Sequence, residues 1–475
     1  MNYFKKTTLV MLLLAAAALV AGCKKEPEPD PNGTPNGGDD IEQTTPNPAQ
    51  DTPLWENVLP EFKSIYQLSP NSDGSFYGLA GGEDTDYLLK LDRNGYVQQR
   101  VELGFRSRRC ILKTGENIMI VGNSGYSTSP YEMYDRGFVA IYDQNLQQTA
   151  ITYLSEPQFR IELNTVIQDI EHPSLFYAGG MAIDGNYVQY PYVCALELSN
   201  GLLNRLDCKV LTEYEKQRIV GMVEKIYSGQ KDLILETIYY TMLDYPYDYT
   251  SCAVHIIKPD IFEEHTGWGS ETWEVALTGP HSNSYTGNNS IDSDENNIYF
   301  FGDCDDDKDN VMASGGLWNS GFVAAVNWHT GQMVWTRLVP LTNHDDRFYD
   351  GMLSDGYLYA CGMHGGMHYT NTHNYFANGL VAKLSLSGEL VTTMTFGDPK
   401  RSSYLCHLVK DLNGNMVCAG ETGENLGEGK LKYSGWFFKM EMSGNSHKAS
   451  LNTNIQSEIN ESLNLYQKHH RDDIH

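Results

Sequence analysis

The feature that most constrains the fold of this chain is a unit that recurs seven times between residues 54 and 447. Each unit has a short apolar strand, a tight turn with Asp, Asn or Gly, and a second apolar strand that ends near a small residue. A variable loop follows, and then a third strand of the type Gly-Phe-Val-Ala-Lys-Leu. The pattern is clear at 73–81, 355–362 and 413–420. The ends of the second strands fall at positions 81, 122, 179, 236, 302, 362 and 420.

A repeat of this length, with several short strands per unit, is typical of one propeller blade. The sequence therefore predicts an all-β fold, a seven-bladed β-propeller of four-stranded blades over residues 54–447. The 44 Gly and 31 Tyr of the chain fit strands joined by turns. The segment Leu54–Pro60 reads as an outer strand that precedes the first unit. We expect it to complete the last blade, which closes the ring and hides its sheet edges.

The repeat has a named resemblance. Its Asp-x-x-Gly turns followed by Val-Ala-Lys-Leu strands resemble the β-propeller repeats of bacterial secreted proteins and lipoproteins over residues 54–447. Residues 325–335, with the sequence AVNWHTGQMVW, are similar to the repeat of pyrroloquinoline-quinone-type propellers. Quinone enzymes of that class have eight blades and repeat the Gly-x-x-x-Trp element in most of them. Because this chain has it in one unit, no quinone or other cofactor is predicted.

The N-terminus carries an export signal. Lys5 and Lys6 precede an apolar run, 9–20, that is too short for a stable membrane span. The run ends in Val-Ala-Gly-Cys, which resembles the lipobox of bacterial lipoproteins and implies a signal peptide over 1–22 and lipidation of Cys23. An ordinary secretory signal with a chance cysteine is the alternative.

Residues 24–53 contain seven Pro and three Gly and are predicted to form a disordered tether. The lipidated Cys23 and this tether place the protein at the outer membrane or cell surface, exported and lipid-anchored. The acidic residues after Lys24 resemble the outer-membrane and surface-export signals of some lipoproteins.

The charge balance excludes one class of partner. With 34 Lys and Arg against 61 Asp and Glu, the formal net charge is −27. Nucleic-acid binding requires clustered basic residues that neutralise phosphates, so no nucleic-acid partner is expected.

Recognition is predicted on the face that carries the long loops between second and third strands, residues 123–136, 180–191, 237–250, 303–320, 363–378 and 421–434. Loops on a rigid scaffold often carry recognition, and Tyr supplies rigid area with a hydrogen-bonding tip. Packing of these aromatic residues beneath the loops is the alternative. The candidate ligand-binding residues are Tyr126, Tyr131, Tyr187, Tyr190, Tyr245, Tyr247, Trp318 and Tyr369.

Two loops contain candidate metal ligands. Asp303, Asp305 and Asp307 alternate as in a calcium loop, but the Gly and Glu of that motif are replaced by Lys308 and Ser314. An acidic solvated loop is the simpler interpretation, and a calcium site is the alternative. A histidine-rich loop is a weaker zinc or copper candidate, because it has no helical spacing. Its histidines are His364, His368 and His373, with His344 in the preceding connection.

The chain has no recognisable catalytic motif such as Gly-x-Ser-x-Gly, His-Glu-x-x-His or a P-loop. This absence favours a non-catalytic binding or scaffolding protein that engages a glycan or a protein partner. The alternative is a glycan hydrolase or lyase with an acidic site in the central funnel, to which Asp350 could contribute.

Of the eight cysteines beyond Cys23, six fall in three pairs at equivalent strand positions, which favours free buried thiols, although the even count leaves disulfides possible. Residues 448–475 lie beyond the repeat and form a tail with a short helix as one interpretation.

Overall fold

The structure is a computed structural model that describes residues 51–104, 110–124, 136–227, 230–242, 248–257, 259–260, 267–268, 274–276, 284–305, 319–339, 341, 345–366, 377–398, 401–426 and 431–441. The predicted signal peptide, most of the predicted tether and residues 442–475 lie outside these ranges. Within them the regular structure is β-strand. We find no apolar helix of membrane-spanning length in the described part of the chain.

The strands pair into seven four-stranded antiparallel sheets, numbered here in chain order. In sheets 1 to 6 the four strands lie side by side in chain order, with the first strand at one edge. In sheet 7 the order is β28, β29, β30 and then β1. A single strand, β1 (Trp55–Leu59), precedes sheet 1.

Sheet 1 contains β2 (Ser64–Pro70), β3 (Phe76–Gly81), β4 (Asp86–Leu91) and β5 (Val97–Glu102). Sheet 2 contains β6 (Cys110–Thr114), β7 (Asn117–Ser124), β8 (Arg136–Tyr142) and β9 (Gln148–Leu154). Sheet 3 contains β10 (Arg160–Gln168), β11 (Leu175–Ile183), β12 (Gln189–Ser199) and β13 (Leu202–Val210).

Sheet 4 contains β14 (Gln217–Tyr227), β15 (Gln230–Met242), β16 (Asp248–Ile257) and β19 (Glu274–Ala276), and a separate ribbon pairs β17 (Pro259–Asp260) with β18 (Gly267–Trp268).

Sheet 5 contains β20 (Ser284–Ser293), β21 (Asn297–Asp305), β22 (Asn319–Asn327) and β23 (Gln332–Val339). Sheet 6 contains β24 (Asp345–Ser354), β25 (Tyr357–Gly366), β26 (Asn378–Ser385) and β27 (Leu390–Phe396). Sheet 7 contains β28 (Arg401–Lys410), β29 (Met416–Asn425) and β30 (Leu431–Met440), with β1 as its fourth strand.

The prediction of a seven-bladed propeller is wrong, and sheet 4 is where it fails. Six sheets are regular blades whose four strands have at least five residues each. In sheet 4 the outer strand β19 has three residues, and the β17–β18 ribbon intervenes between it and β16. The fold class is corrected to an all-β propeller with six regular blades and one irregular sheet.

The ring closes through its N-terminal strand, as the repeat pattern predicts. β1 pairs antiparallel with β30, from Trp55 opposite Lys439 to Leu59 opposite Gly435. The indole Nε1 of Trp436 donates to Glu56 Oε1 at 2.6 Å. The first and last parts of the propeller therefore share one sheet, and the edge of β30 is covered.

The core lies between neighbouring sheets because the second and third strands are apolar on both faces. All six residues of β3 are buried, and β11 is buried from Leu175 to Ala182. In contrast the outer strand β5 alternates between half-buried and exposed residues, as expected of a strand with one solvated face.

The Asp residues of the turns have a defined role. The Asp92 carboxylate accepts the backbone N–H groups of Asn94 and Tyr96 at 2.8 and 2.9 Å. These bonds fold the backbone into an Asx-type turn. The same pattern occurs at Asp143, Asp184 and Asp411.

The glycines at the ends of second strands are required by close approach of the neighbouring first strand. A Cβ on Gly180, Gly362 or Gly420 would lie 1.8–2.0 Å from a backbone carbonyl oxygen of the paired first strand. No side chain fits at that distance. The recurring Gly of the sequence pattern therefore reports backbone packing and not a turn.

One disulfide departs from the expectation of free thiols. Cys194 and Cys208 lie directly opposite each other on β12 and β13 and are linked. The prediction failed because it compared equivalent positions between repeats, whereas this pair forms within one hairpin. Cys110, Cys361 and Cys418 are buried free thiols as predicted, and burial raises the pKa of Cys361 well above its usual value.

Candidate functional site

The candidate site lies at the end of the propeller axis from which the long loops leave. First strands begin there and second strands end there, since Asp345 pairs with Gly366 and Arg401 with Glu424. We call the described residues at these strand ends the mouth. First strands make the closest contacts between sheets, so their starting residues surround the axis.

The most distinctive part of the mouth is a row of three tyrosines over sheets 6 and 7, which we call the tyrosine row. The ring centres of Tyr349 and Tyr404 are 6.2 Å apart, and those of Tyr404 and Tyr433 are 6.1 Å apart. Both pairs meet edge to face, a favoured aromatic geometry. The Tyr349 hydroxyl lies 3.5 Å from the Met363 sulfur. All four side chains are partly exposed, so the row presents ring area to solvent.

Two charged pairs lie beside the row on sheets 5 and 6. The Arg347 guanidinium lies 3.9 Å from the Asp303 carboxylate, and Arg347 pairs in register with Met363. The imidazole Nδ1 of His364 lies 2.9 Å from Asp346 Oδ1. The backbone N–H of Leu341 donates to the other Asp346 oxygen, which fixes the carboxylate. Because Asp346 is buried, it holds the His364 ring in one orientation.

A carboxylate lies at the edge of the row. Partial burial raises the pKa of the Tyr433 hydroxyl, and the charge of Glu421 raises it further. Glu421 lies directly opposite Tyr404 in the β28–β29 pair. The row is thus aromatic and uncharged at neutral pH, with a carboxylate at its edge.

Asp350 is not a funnel acid but a structural link between three sheets. It is 2% exposed, and its Oδ2 accepts the backbone N–H of Leu408 at 3.0 Å and contacts His407 Nδ1 at 2.5 Å. His407 Nε2 in turn lies 3.0 Å from the Leu68 carbonyl oxygen, which can only accept. This cluster, the Asp350 clasp, joins sheets 6, 7 and 1. The expectation that Asp350 contributes to a catalytic site is therefore not supported by its position.

The clasp belongs to a wider pattern, since polar side chains bridge every boundary between sheets. Amide and carboxylate groups on the inner strands bond backbone groups of the next sheet. The bridging pairs are Gln67 with Ile111, Asn123 with Leu163, Asn164 with Ile219, Lys225 with Asp294, Asp292 with Leu353, Asp350 with Leu408 and His407 with Leu68. Buried polar residues near the axis thus serve first to join the ring.

A cleft of about 380 Å³ lies between sheets 6 and 7 and reaches Arg401 at the start of β28. The segment that precedes β1 crosses it, with Asp51 bonded to Thr395 through both its backbone N–H and its side chain. Its lining is mostly polar and includes Glu56 and Arg401. The tyrosine row is the better candidate for a ligand surface because it combines aromatic area with fixed polar groups.

The ligand-binding residues predicted from the loops are only partly described. Tyr187 is 69% exposed at a hairpin turn, whereas Tyr190 is nearly buried and packs edge to face on Phe159. Tyr190 thus packs under its loop. The remaining predicted residues, Tyr126, Tyr131, Tyr245, Tyr247, Trp318 and Tyr369, lie outside the described residues.

The candidate calcium ligands are also only partly described. Asp303 is 4% exposed and lies beside Arg347, a cation that already balances its charge. The side chain of Asp305 and all of Asp307 lie outside the described residues, as do His344, His368 and His373. Among the described side chains, no group of three or more His, Cys, Asp or Glu is arranged to hold a metal ion.

The tyrosine row was missed from sequence because aromatic residues were sought only in loops, whereas Tyr349 and Tyr404 lie in first strands. Tyr433 falls within the predicted loop 421–434 but was not selected, and it lies near the start of the third strand β30. A usable signal existed, since Tyr near the starts of two consecutive first strands interrupts an otherwise apolar or small-residue pattern. Which face they take could be read only from the strand register.

Comparison with known proteins supports the fold. No protein-family model and no curated protein matches the chain. Among solved structures, a polysaccharide lyase described as an ulvan lyase has a TM-score of 0.51 at 12% identity, over 82% of this chain and 96% of its own. An α-L-arabinofuranosidase of Fusarium graminearum, solved with arabinobiose, has a TM-score of 0.40 at 8% identity, over 80% and 94%. Drosophila plexin A, solved with semaphorin 1b, has 0.44 at 10%, over 83% and 88%. At such identities the likeness concerns the β-propeller fold alone.

Proposed function

We propose that this protein binds a polysaccharide at the mouth of the propeller, with the tyrosine row as the contact surface. The observation that carries the proposal is the edge-to-face series of Tyr349, Tyr404 and Tyr433, partly exposed on a rigid sheet scaffold. Sugar rings have apolar C–H faces that pack on aromatic rings, and tyrosine adds a hydroxyl that bonds sugar hydroxyls. Rings held by strands need little ordering when a ligand binds, which favours affinity.

The charged pairs beside the row suit the same ligand. The Arg347 guanidinium offers several N–H donors and Asp303 offers acceptors, and both are held in place by their contact. Hydroxyl-rich ligands need donors and acceptors together, because each hydroxyl can use both. A protein partner is the alternative occupant of this face, and it would be recognised by the same aromatic residues.

The binding test is the substitution Tyr404→Ala, because Tyr404 lies at the centre of the row. Loss of one stacking ring should cost about 1 to 2 kcal/mol, or roughly 5- to 30-fold in Kd. The matched control is Tyr96→Ala, since Tyr96 is 61% exposed in a turn at the opposite end of its sheet.

Binding is measured by isothermal titration calorimetry against a panel of soluble polysaccharides, with the Kd of the wild type as reference. Equal losses in the two variants, or no loss for Tyr404→Ala, would contradict the proposal. If only protein ligands bind at this face, the alternative occupant is correct.

Cleavage of the glycan is the second candidate function. The specific observation that favours it is the His364–Asp346 pair at the mouth, in which a buried carboxylate orients an imidazole whose side chain is 16% exposed. Such a pair suits general acid–base chemistry. The fold likeness to a polysaccharide lyase is compatible with it but shows no shared residues.

The test of cleavage is release of reducing ends and of unsaturated products by wild type and by His364→Ala. Turnover that falls at least about 100-fold in His364→Ala, with folding retained, would establish catalysis. Glycan binding without product release by the wild type would establish the binding function.

We also propose that Cys23 anchors the propeller to a membrane through the tether, on the strength of the lipobox resemblance. The substitution Cys23→Ser should move the mature protein to the soluble fraction. Retention in the membrane fraction would contradict the anchor.

A further inference from the structure

We infer that the glycan bound at the mouth is uncharged, and that uronate or sulfated polysaccharides are discriminated against. This inference rests on the proposed function and names the substrate class of the same site. Three independent features of charge distribution lead to it.

The first feature is the composition of the six long loops predicted between second and third strands. They contain 13 Asp and Glu against 4 Lys and Arg, whereas the whole chain has 61 against 34. These predicted loops are thus more acidic than the chain overall. A polyanion that approaches these loops meets like charge, which lowers both its association rate and its affinity.

The second feature is that two arginines at the mouth, Arg160 and Arg347, lie against buried carboxylates. Arg160 contacts Glu162 at the start of β10, and Arg347 contacts Asp303 at the start of β24. Glu162 and Asp303 are both buried, so they remain beside these arginines whatever the ligand. An arginine already neutralised in this way offers donors to a hydroxyl but little net attraction to a sulfate or carboxylate.

The third feature is the carboxylate at the row itself. Glu421 lies opposite Tyr404 and raises the pKa of Tyr433 together with burial. The negative charge of Glu421 disfavours ionisation of the Tyr433 hydroxyl, and it equally disfavours a carboxylate or sulfate group placed on these rings. A neutral pyranose or furanose carries no charge, so this field does not act against it.

The inference also separates the two kinds of cleavage. Elimination by a lyase removes the proton from the ring carbon that bears the carboxyl group of a uronate. The bond to the glycosidic oxygen on the neighbouring carbon then breaks, which leaves a carbon–carbon double bond. A neutral glycan has no such carboxyl group, so its cleavage must be hydrolysis, in which water adds across the glycosidic bond. Any products of this protein should therefore be saturated.

The experiment uses polysaccharide pairs that differ only in charge, with the full chain and calorimetry at low and high salt. Suitable probes are polygalacturonate with its carboxyl-reduced form and a sulfated galactan with its desulfated form. The neutral member of a pair should bind at least about 10-fold more tightly at low salt, and the gap should narrow at high salt because added ions screen the repulsion.

The variant Glu421→Gln should improve binding of the charged member more than binding of the neutral member, so the ratio of the two Kd values should fall. Glu389→Gln is the matched control, since Glu389 is an exposed carboxylate in a turn at the opposite face. Tighter binding of the charged members would overturn the inference while the proposed function stands. Failure of every polysaccharide to bind would instead overturn the proposed function, and the inference with it.

Discussion

Removal of the Asp350 carboxylate should destabilise the whole ring, because the clasp joins sheets 6, 7 and 1. Its side chain is 3% exposed and that of His407 is 14% exposed, so solvent screens their contact little. The substitution Asp350→Ala leaves His407 and the Leu408 N–H without their acceptor. Breaking a buried pair by removing one partner costs about 3 to 5 kcal/mol. We expect a loss of that size in the free energy of unfolding.

The measurement is guanidinium unfolding followed by tryptophan fluorescence, with the slope of the transition compared between variants. Asp350→Asn is a second variant that keeps an oxygen for the Leu408 N–H but removes the charge, so its loss should be smaller. The matched control is Asp355→Asn, because the Lys410–Asp355 pair also joins sheets 6 and 7 yet is exposed to solvent. Its unfolding midpoint should equal that of the wild type.

Two results would refute this reasoning. An Asp350→Ala variant within about 1 kcal/mol of wild-type stability would show that the clasp does not hold the ring. A variant of normal stability that has lost glycan binding or turnover would return Asp350 to the functional site.

Three further predictions concern the scaffold. Burial opposes ionisation of Asp169, but its hydrogen bonds, led by the one from Lys231, outweigh burial and hold the pKa of Asp169 below the usual range. The ionised Asp169 therefore stabilises the fold above the pKa it has in the unfolded chain, and this stabilisation is lost as pH falls through the pKa it has in the folded protein. Lys231→Met should remove this stabilisation. Acid unfolding should therefore begin at higher pH in the variant, and an unshifted acid midpoint would argue against the pair. Gly180→Ala should lower the melting temperature by several degrees, because the new Cβ would lie 1.9 Å from a carbonyl oxygen. Gly185→Ala is the control, because a Cβ at Gly185 meets nothing within 4 Å and the melting temperature should not change. Calorimetry measures both melting temperatures. Deletion of residues 51–59 should expose the edge of β30 and cause aggregation on light scattering; a monodisperse, stable product would disprove the closure.

The sequence determined the repeat, the all-β class and the closing strand. These followed from local physics: apolar runs of strand length, Asx turns such as that at Asp92, and a lone outer strand at 55–59 that lacked a partner in its own unit. Close approach of two backbones demands Gly at 362 and 420, so this contact also leaves a mark in the sequence. Each of these signals lies within one unit or recurs between units.

Only the tertiary structure decided what the polar residues near the axis do. From the sequence, Asp350 is predicted to be an acid in the central funnel. The structure instead shows that its carboxylate bonds His407 and the backbone N–H of Leu408 in the next sheet. Cys194 reads as a free thiol until hairpin pairing places Cys208 opposite it. Irregularity in sheet 4 was likewise invisible, since an outer strand forms only as far as its neighbour pairs with it. The tyrosine row assembles residues 349, 404 and 433 from two sheets, and contacts between sheets have no period along the chain that a sequence pattern could reveal.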